Sequence, residues 1–211
     1  GESNYVGDID VHLGSNEFMA QSFTAVGGIL DSVKFYLDKV GSPTGNITAK
    51  LYAHSGTFGT NSIPTGGVLA TSDNFNISTL TSTPTLTTFT FSGVNRISLT
   101  NGTKYTISIG YSGGDGSNHL GLGIDNTSPT HTGNDSYYNG SWNALTSDII
   151  FYLYEMSDGS TGGGSGGGSD KDLGDTQISV TGIGYPSQTI NFLLDTKTIG
   201  SVRANSSGRF E

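Results

Sequence analysis

Tyr105-Thr106-Ile107-Ser108-Ile109-Gly110-Tyr111 alternates without a break: aromatic or β-branched residues at odd positions, and Thr, Ser and Gly at even ones. A period of two puts the large side chains on one face of a strand and the small polar ones on the other. The same period recurs upstream in Val33, Phe35 and Leu37, in Ile47, Ala49 and Leu51, and in Phe89 and Phe91. Downstream it returns in Leu120, Leu122 and Ile124, and in Ile149, Phe151 and Leu153. Turn chemistry separates these runs, as in Gly41-Ser42-Pro43-Thr44-Gly45, Pro64-Thr65-Gly66-Gly67, Asn101-Gly102 and Gly113-Gly114-Asp115-Gly116. No stretch sustains a 3.6-residue period with caps. Many short strands, each with one buried face, predict an all-β fold: a two-sheet antiparallel jelly-roll sandwich over residues 1–156.

Composition agrees with a thin core of alternating positions. Of 211 residues 33% are hydrophobic, 10% aromatic and 13% charged, and 33 are Gly. Disorder calls for few aromatics and high charge, the reverse of this chain. No apolar run reaches the roughly 18 residues of a membrane span. The absence of Cys excludes a disulfide scaffold and a Cys-ligated zinc site. With 9 Lys and Arg against 18 Asp and Glu, the net charge of −9 repels phosphate backbones and anionic lipid surfaces. Neither nucleic acid nor membrane insertion is expected. The opening Gly1-Glu2-Ser3 reads as a mature form, an excised piece or a fragment. Low Lys with abundant Ser, Thr, Asn and Gly suits an extracellular or cell-surface protein.

Ser157 to Asp172, SDGSTGGGSGGGSDKD, is a Gly/Ser-rich linker that has no face to bury. Residues 173–211 alternate again through Ile178 and Val180, Ile190, Phe192 and Leu194, and Ile199 and Val202. They supply three or four strands, about half of an immunoglobulin-like sandwich. The expectation is a truncated immunoglobulin-like β fragment whose open edge accepts a strand from another copy or a neighbouring chain.

Several segments together resemble a known family. They are Phe18 to Ala25 leading into Ile29 to Leu37, Pro43 to Tyr52, Pro64 to Ser72, Leu99 to Tyr105, Asn139 to Trp142, and Asp148 to Tyr154. Their order resembles the choice-of-anchor type R jelly-roll domains of bacterial extracellular and phage-associated proteins. That resemblance implies a secreted, surface-displayed, non-catalytic sandwich of the carbohydrate-binding-module kind. Gly182 to Pro186, Asp195, Gly200 and Gly208-Arg209-Phe210 resemble the opening of a bacterial surface immunoglobulin-like repeat.

Catalytic patterns are thin. Gly110-Tyr111-Ser112-Gly113-Gly114 matches a nucleophile elbow, but such an elbow needs a helix after the Ser, and a Gly-rich loop follows. His12, His54, His119 and His131 share no ligand spacing. Asp125 and Asp135 read as turn-forming residues rather than as an acid/base pair, and no enzyme is expected. Jelly-roll binding modules often hold calcium where first and last strands meet, so Asp8, Asp10 and Asp148 are the candidate ligands of a structural calcium, the one cofactor considered. The best binding feature is Tyr137-Tyr138-Asn139-Gly140-Ser141-Trp142, with Asn134 and Asp135 beside it. Sugars present flat C–H faces that pack on aromatic rings and hydroxyls that need amide and carboxylate partners. Tyr137, Tyr138, Trp142, Asn134, Asp135 and Asn139 are therefore the candidate ligand-binding residues, with a polysaccharide or glycan as partner. The competing expectation is a structural or adhesive repeat of a surface fibre, assembling through the C-terminal fragment.

Overall fold

A computed structural model describes residues 2–156 and the strands Gly182–Ile183, Thr189–Leu194, Lys197–Arg203 and Arg209–Phe210. The chain divides into two compact units, Gly1–Ser160 and Thr161–Glu211. The expected linker over residues 157–172 lies outside the described residues.

In the first unit the strands are β1 (Gly7–Val11), β2 (Phe18–Thr24), β3 (Gly28–Val40), β4 (Asn46–Ser55), β5 (Ile63–Thr71), β6 (Phe75–Asn76) and β7 (Thr85–Thr90). They continue with β8 (Ser98–Leu99), β9 (Lys104–Gly110), β10 (His119–Asp125), β11 (Asp135–Tyr138), β12 (Trp142–Ala144), β13 (Asp148–Ile149) and β14 (Phe151–Met156). All pairings are antiparallel. One sheet runs β1-β10-β3-β7 and the other β2-β9-β4-β5. No neighbours in the first sheet are consecutive in sequence, so the chain crosses repeatedly to the second, which is the jelly-roll arrangement. The unit is the expected β-sandwich.

Two additions modify that frame. The β11–β12 hairpin extends the second sheet beyond β2. The last segment, β13–β14, enters the first sheet where β3 and β10 part. Those two strands pair from Leu37 to Val40 and from His119 to Leu122. Beyond that point the Ile150 N–H donates to Gly123 O at 2.9 Å, and the Tyr36 N–H donates to Ile150 O at 3.2 Å. Ile150 thus fills the fork of the sheet.

The alternating residues read from the sequence form the core. Val33, Phe35, Leu37, Ala49, Leu51, Ile107, Ile109, Leu120, Leu122 and Ile149 are wholly buried. Phe35, Phe75 and Phe89 meet as an aromatic cluster, with ring centres 5.9 and 5.5 Å apart around Phe89. Each such side chain contributes about 1.5–3 kcal/mol by leaving water. At the Asn101-Gly102 turn between β8 and β9, Gly102 has φ of 76°, a conformation that favours glycine.

In the second unit Thr189–Leu194 pairs with Lys197–Arg203, with a register shift between Phe192 and Leu193, and Gly182–Ile183 pairs with Arg209–Phe210.

Candidate functional site

The second sheet is rolled. Its edge strands β5 and β12 approach within 8 Å between Cα atoms, although β11, β2, β9 and β4 lie between them in the ladder. The side of this sheet turned away from the sandwich core is therefore the inside of a trough. Ala20, Ser22, Thr106, Ser108 and Ser136 form its floor, each no more than 1% exposed. Register puts them in rows: Ser136, Ala20, Ser108 and Lys50 face one another across β11, β2, β9 and β4. Small side chains occupy β11, β2 and β9 in this row, where the aromatic walls leave little room above them, and Lys50 stands at its β4 end. The Thr106 hydroxyl in this floor has no hydrogen-bond partner in the protein.

Aromatic rings make the walls. Trp142, Tyr138 and Phe18 are direct cross-strand partners and share one face. Tyr138 lies 5.4 Å from Trp142 and 5.9 Å from Phe18, both edge to face. From the opposite side Tyr52 reaches Trp142 at 6.4 Å. The Lys50 ammonium stands 5.5 Å above the Phe18 ring, a cation–π contact. All five side chains are half-buried. Burial pushes the Tyr52 phenol up from its ordinary pKa, opposed by a hydrogen bond with Ser108. Asn139 and Asn143 border the row: the Asn143 amide donates to Asn139 Oδ1 at 3.3 Å.

The six predicted ligand residues divide. Tyr138 and Trp142 lie in the aromatic row, and Asn139 is exposed in the turn beside it. Tyr137 points the other way and packs on the sandwich core. Asn134 and Asp135 are buried and inaccessible to a ligand. Asn134 Oδ1 accepts from the Ser62 N–H at 3.0 Å, and its amide donates to Asp135 O at 2.8 Å. Asp135 Oδ2 accepts from the Ser147 hydroxyl at 2.8 Å, and burial pushes the Asp135 carboxyl up to about 6. Proximity in sequence misled here, since alternation sends neighbouring residues to opposite faces.

Phe18, Tyr52 and Lys50 complete the row and were not read as site residues. A signal existed in Thr106, Ser108 and Gly110, and in Ala20 and Ser22. A solvated strand face usually carries several long charged side chains, whereas a run of small residues in mid-strand, as in these two segments, indicates that something covers it.

The three aspartates proposed for calcium do not converge. Asp8 and Asp10 sit on β1 opposite Gly123 and Gly121, whereas Asp148 sits on β13 opposite Asp125. Asp148 is fully buried; it accepts from the Gln21 amide at 2.7 Å and the His131 N–H at 3.1 Å, and burial pushes it up to about 6. Asp10 faces His119 at 3.2 Å. Among the described residues no group of three or more His, Asp or Glu side chains is placed to hold a metal ion.

Three other candidates lie elsewhere in the first unit. Ser112 follows β9 in the loop leading to β10, with no helix after it. Asp125 Oδ1 accepts from the Thr127 and Ser128 N–H groups, the turn-forming role expected of it. The Ser128 bond, with those of Asn4 and Thr127, outweighs burial and holds Asp125 at about 2. His131 packs edge-on against Phe151 at 5.1 Å, and burial lowers it to about 4.

Comparison with protein-family models, curated proteins and solved structures finds no match for this chain.

Proposed function

We propose that residues 1–156 are a non-catalytic, glycan-binding module of an extracellular or cell-surface protein, of the kind the choice-of-anchor resemblance implies. The observation that carries this reading is the row of Phe18, Tyr138 and Trp142, closed from the far side by Tyr52 over a floor of Ala20, Ser108 and Ser136. Half-buried rings are held in place before any ligand arrives, so stacking a sugar face on them loses little side-chain entropy. Asn139, Asn143 and Lys50 supply hydrogen-bond donors and acceptors at the rim. A glycan array with the full chain and with Trp142→Ala tests the reading. Binding that disappears in the variant, with circular dichroism unchanged, supports it. A folded wild-type chain that binds no glycan sinks it.

A second reading rests on the C-terminal unit. Among the described residues Thr189–Leu194 and Lys197–Arg203 form a two-stranded ladder, which has an open edge on each side. Such an edge accepts a strand from another chain, the step an adhesive repeat of a surface fibre requires. Light scattering of the full chain over a concentration series decides it: a monomer at every concentration argues against assembly.

A further inference from the structure

The other sheet carries an aromatic cleft of its own. Where β3 and β10 part around Ile150, a hollow of about 230 Å³ opens, lined by Ser3, Tyr5, Tyr36, Leu86, Ile150 and Tyr152. Tyr5 and Tyr36 meet edge to face at 5.0 Å. Gly123 lies beneath both rings: a Cβ there would stand 3.1 Å from Tyr36 Cβ and 3.2 Å from Tyr5 Cδ2. Glycine thus lets the two rings approach the sheet closely.

Charges of both signs flank this cleft: Asp8 and Asp38 stand beside the Tyr5–Tyr36 pair, and Lys34, on the same face of β3, lies opposite Tyr152. The Tyr5 hydroxyl donates to Asp8 Oδ2 at 2.9 Å. That bond, with burial and the charges of Asp8 and Asp38, pushes the Tyr5 phenol up to about 12, so it remains a neutral donor. Asp38, two residues beyond Tyr36 on the same face of β3, is only 7% exposed, and its Oδ1 has no hydrogen-bond partner; burial and the Asp8 charge raise its carboxyl above the ordinary value, so a bound cation would relieve both. Neither Asp8 nor Asp38 forms an ion pair with Lys or Arg among the described residues. Tyrosine faces attract cations, and a nearby carboxylate in a partly desolvated site strengthens that attraction. The same sheet face already shows the contact: the Lys34 ammonium lies 5.4 Å over the Tyr154 ring.

We infer that this cleft binds an organic ammonium group, which rests against Tyr5, Tyr36 and Tyr152 while Asp8 and Asp38 balance its charge. Its volume suits a single ring or head group. The ligand is then a quaternary ammonium of the choline type or a protonated amino sugar. Because the cleft and the Trp142 row lie on different sheets, this inference stands apart from the glycan reading.

The test is a titration of the full chain with choline, glucosamine and neutral N-acetylglucosamine, followed by the amide NMR signals of Tyr36, Gly123 and Ile150. At least one cation is expected to move them, and the tighter of the two identifies the source of the ammonium. Tyr152→Ala is expected to abolish the response. Asp8→Asn keeps an acceptor for the Tyr5 hydroxyl and removes only charge; it is expected to weaken binding about five- to tenfold. Silence with both cations at millimolar concentration overturns the inference. So does an equal response to N-acetylglucosamine, or unchanged affinity in Asp8→Asn.

Discussion

Tyr52 and Trp142 meet at 6.4 Å with their rings 67° apart, although β11, β2 and β9 separate their strands in the sheet. Neighbouring strands lie about 4.8 Å apart, so two side chains cannot bridge that span on a flat sheet. Contact requires the sheet to curl. Curling in turn requires the residues beneath the two rings to be small.

The floor is therefore sensitive to volume. Ala20 is wholly buried beneath the rings, and Ala20→Leu is expected to destabilise the domain by about 1–3 kcal/mol through overpacking. Urea unfolding measures it. The control Thr88→Val, at an exposed position of the other sheet, should stay within about 0.5 kcal/mol of wild type.

Buried Asp135 sets a pH dependence. Its carboxyl lies at about 6, above the ordinary 3.8. A raised carboxyl pKa favours the folded state in acid, and that benefit disappears as pH rises through about 6. Asp135→Asn cannot ionise, so it is expected to match wild type near pH 4 and to exceed its stability at pH 8 by about 2 kcal/mol. Melting curves at the two pH values check this. Equal stability at pH 8 would mean that the carboxylate is not disfavoured by burial.

Glu2 ties the amino-terminal segment to the loop after β10. Its Oε1 accepts from the Ser3 and Asn4 N–H groups, and its Oε2 from the Thr130 N–H and hydroxyl. Burial alone would raise this carboxyl, but the Asn4, Thr130 and Ser3 bonds outweigh it and hold it at about 2. A lowered carboxyl pKa stabilises the fold above the ordinary 4.5, and the benefit is lost as pH falls towards 2. Hydrogen exchange at the Thr130 amide should be slow at neutral pH and fast in Glu2→Ala. Unchanged protection in the variant would show that the clamp is not what orders this loop.

Gly133 is fixed by contact rather than by conformation. A Cβ at this position would lie 2.0 Å from the Ser22 carbonyl oxygen, a backbone atom with little freedom to retreat. Gly133→Ala is expected to cost about 1–3 kcal/mol, a fall in Tm of roughly 2–10 °C. Gly116, where a Cβ meets nothing within 4 Å, should tolerate Ala with little change in Tm.

Alternation along single strands carried most of the fold. Phe35, Leu37, Ile107, Ile109 and Leu122 were assigned to the core from period two alone, and all are buried. Half of the aromatic row was legible as well, since Tyr138 and Trp142 flank a readable Asn139-Gly140 turn. Phe18 and Tyr52 were not, because they join that row only through cross-strand register, and their own segments contain no hint of which strand lies beside them. Asp148 shows the same limit: its sequence position near the last strand suggested a metal site, while its pairing opposite Asp125 buries it against Gln21.

What the sequence determined by itself is local: which residues extend, which turn, and which side of each strand is apolar. Those properties follow from steric preference and side-chain alternation within a few residues, and they suffice for a β-sandwich. Tertiary structure decided the rest. The curl that brings Tyr52 to Trp142, and the fork that gathers Tyr5, Tyr36 and Tyr152, depend on strand order and register between segments distant along the chain. Backbone hydrogen bonds can hold many such pairings. Which one forms is fixed by packing the whole core at once, because each strand's large residues must fill the spaces left by the others.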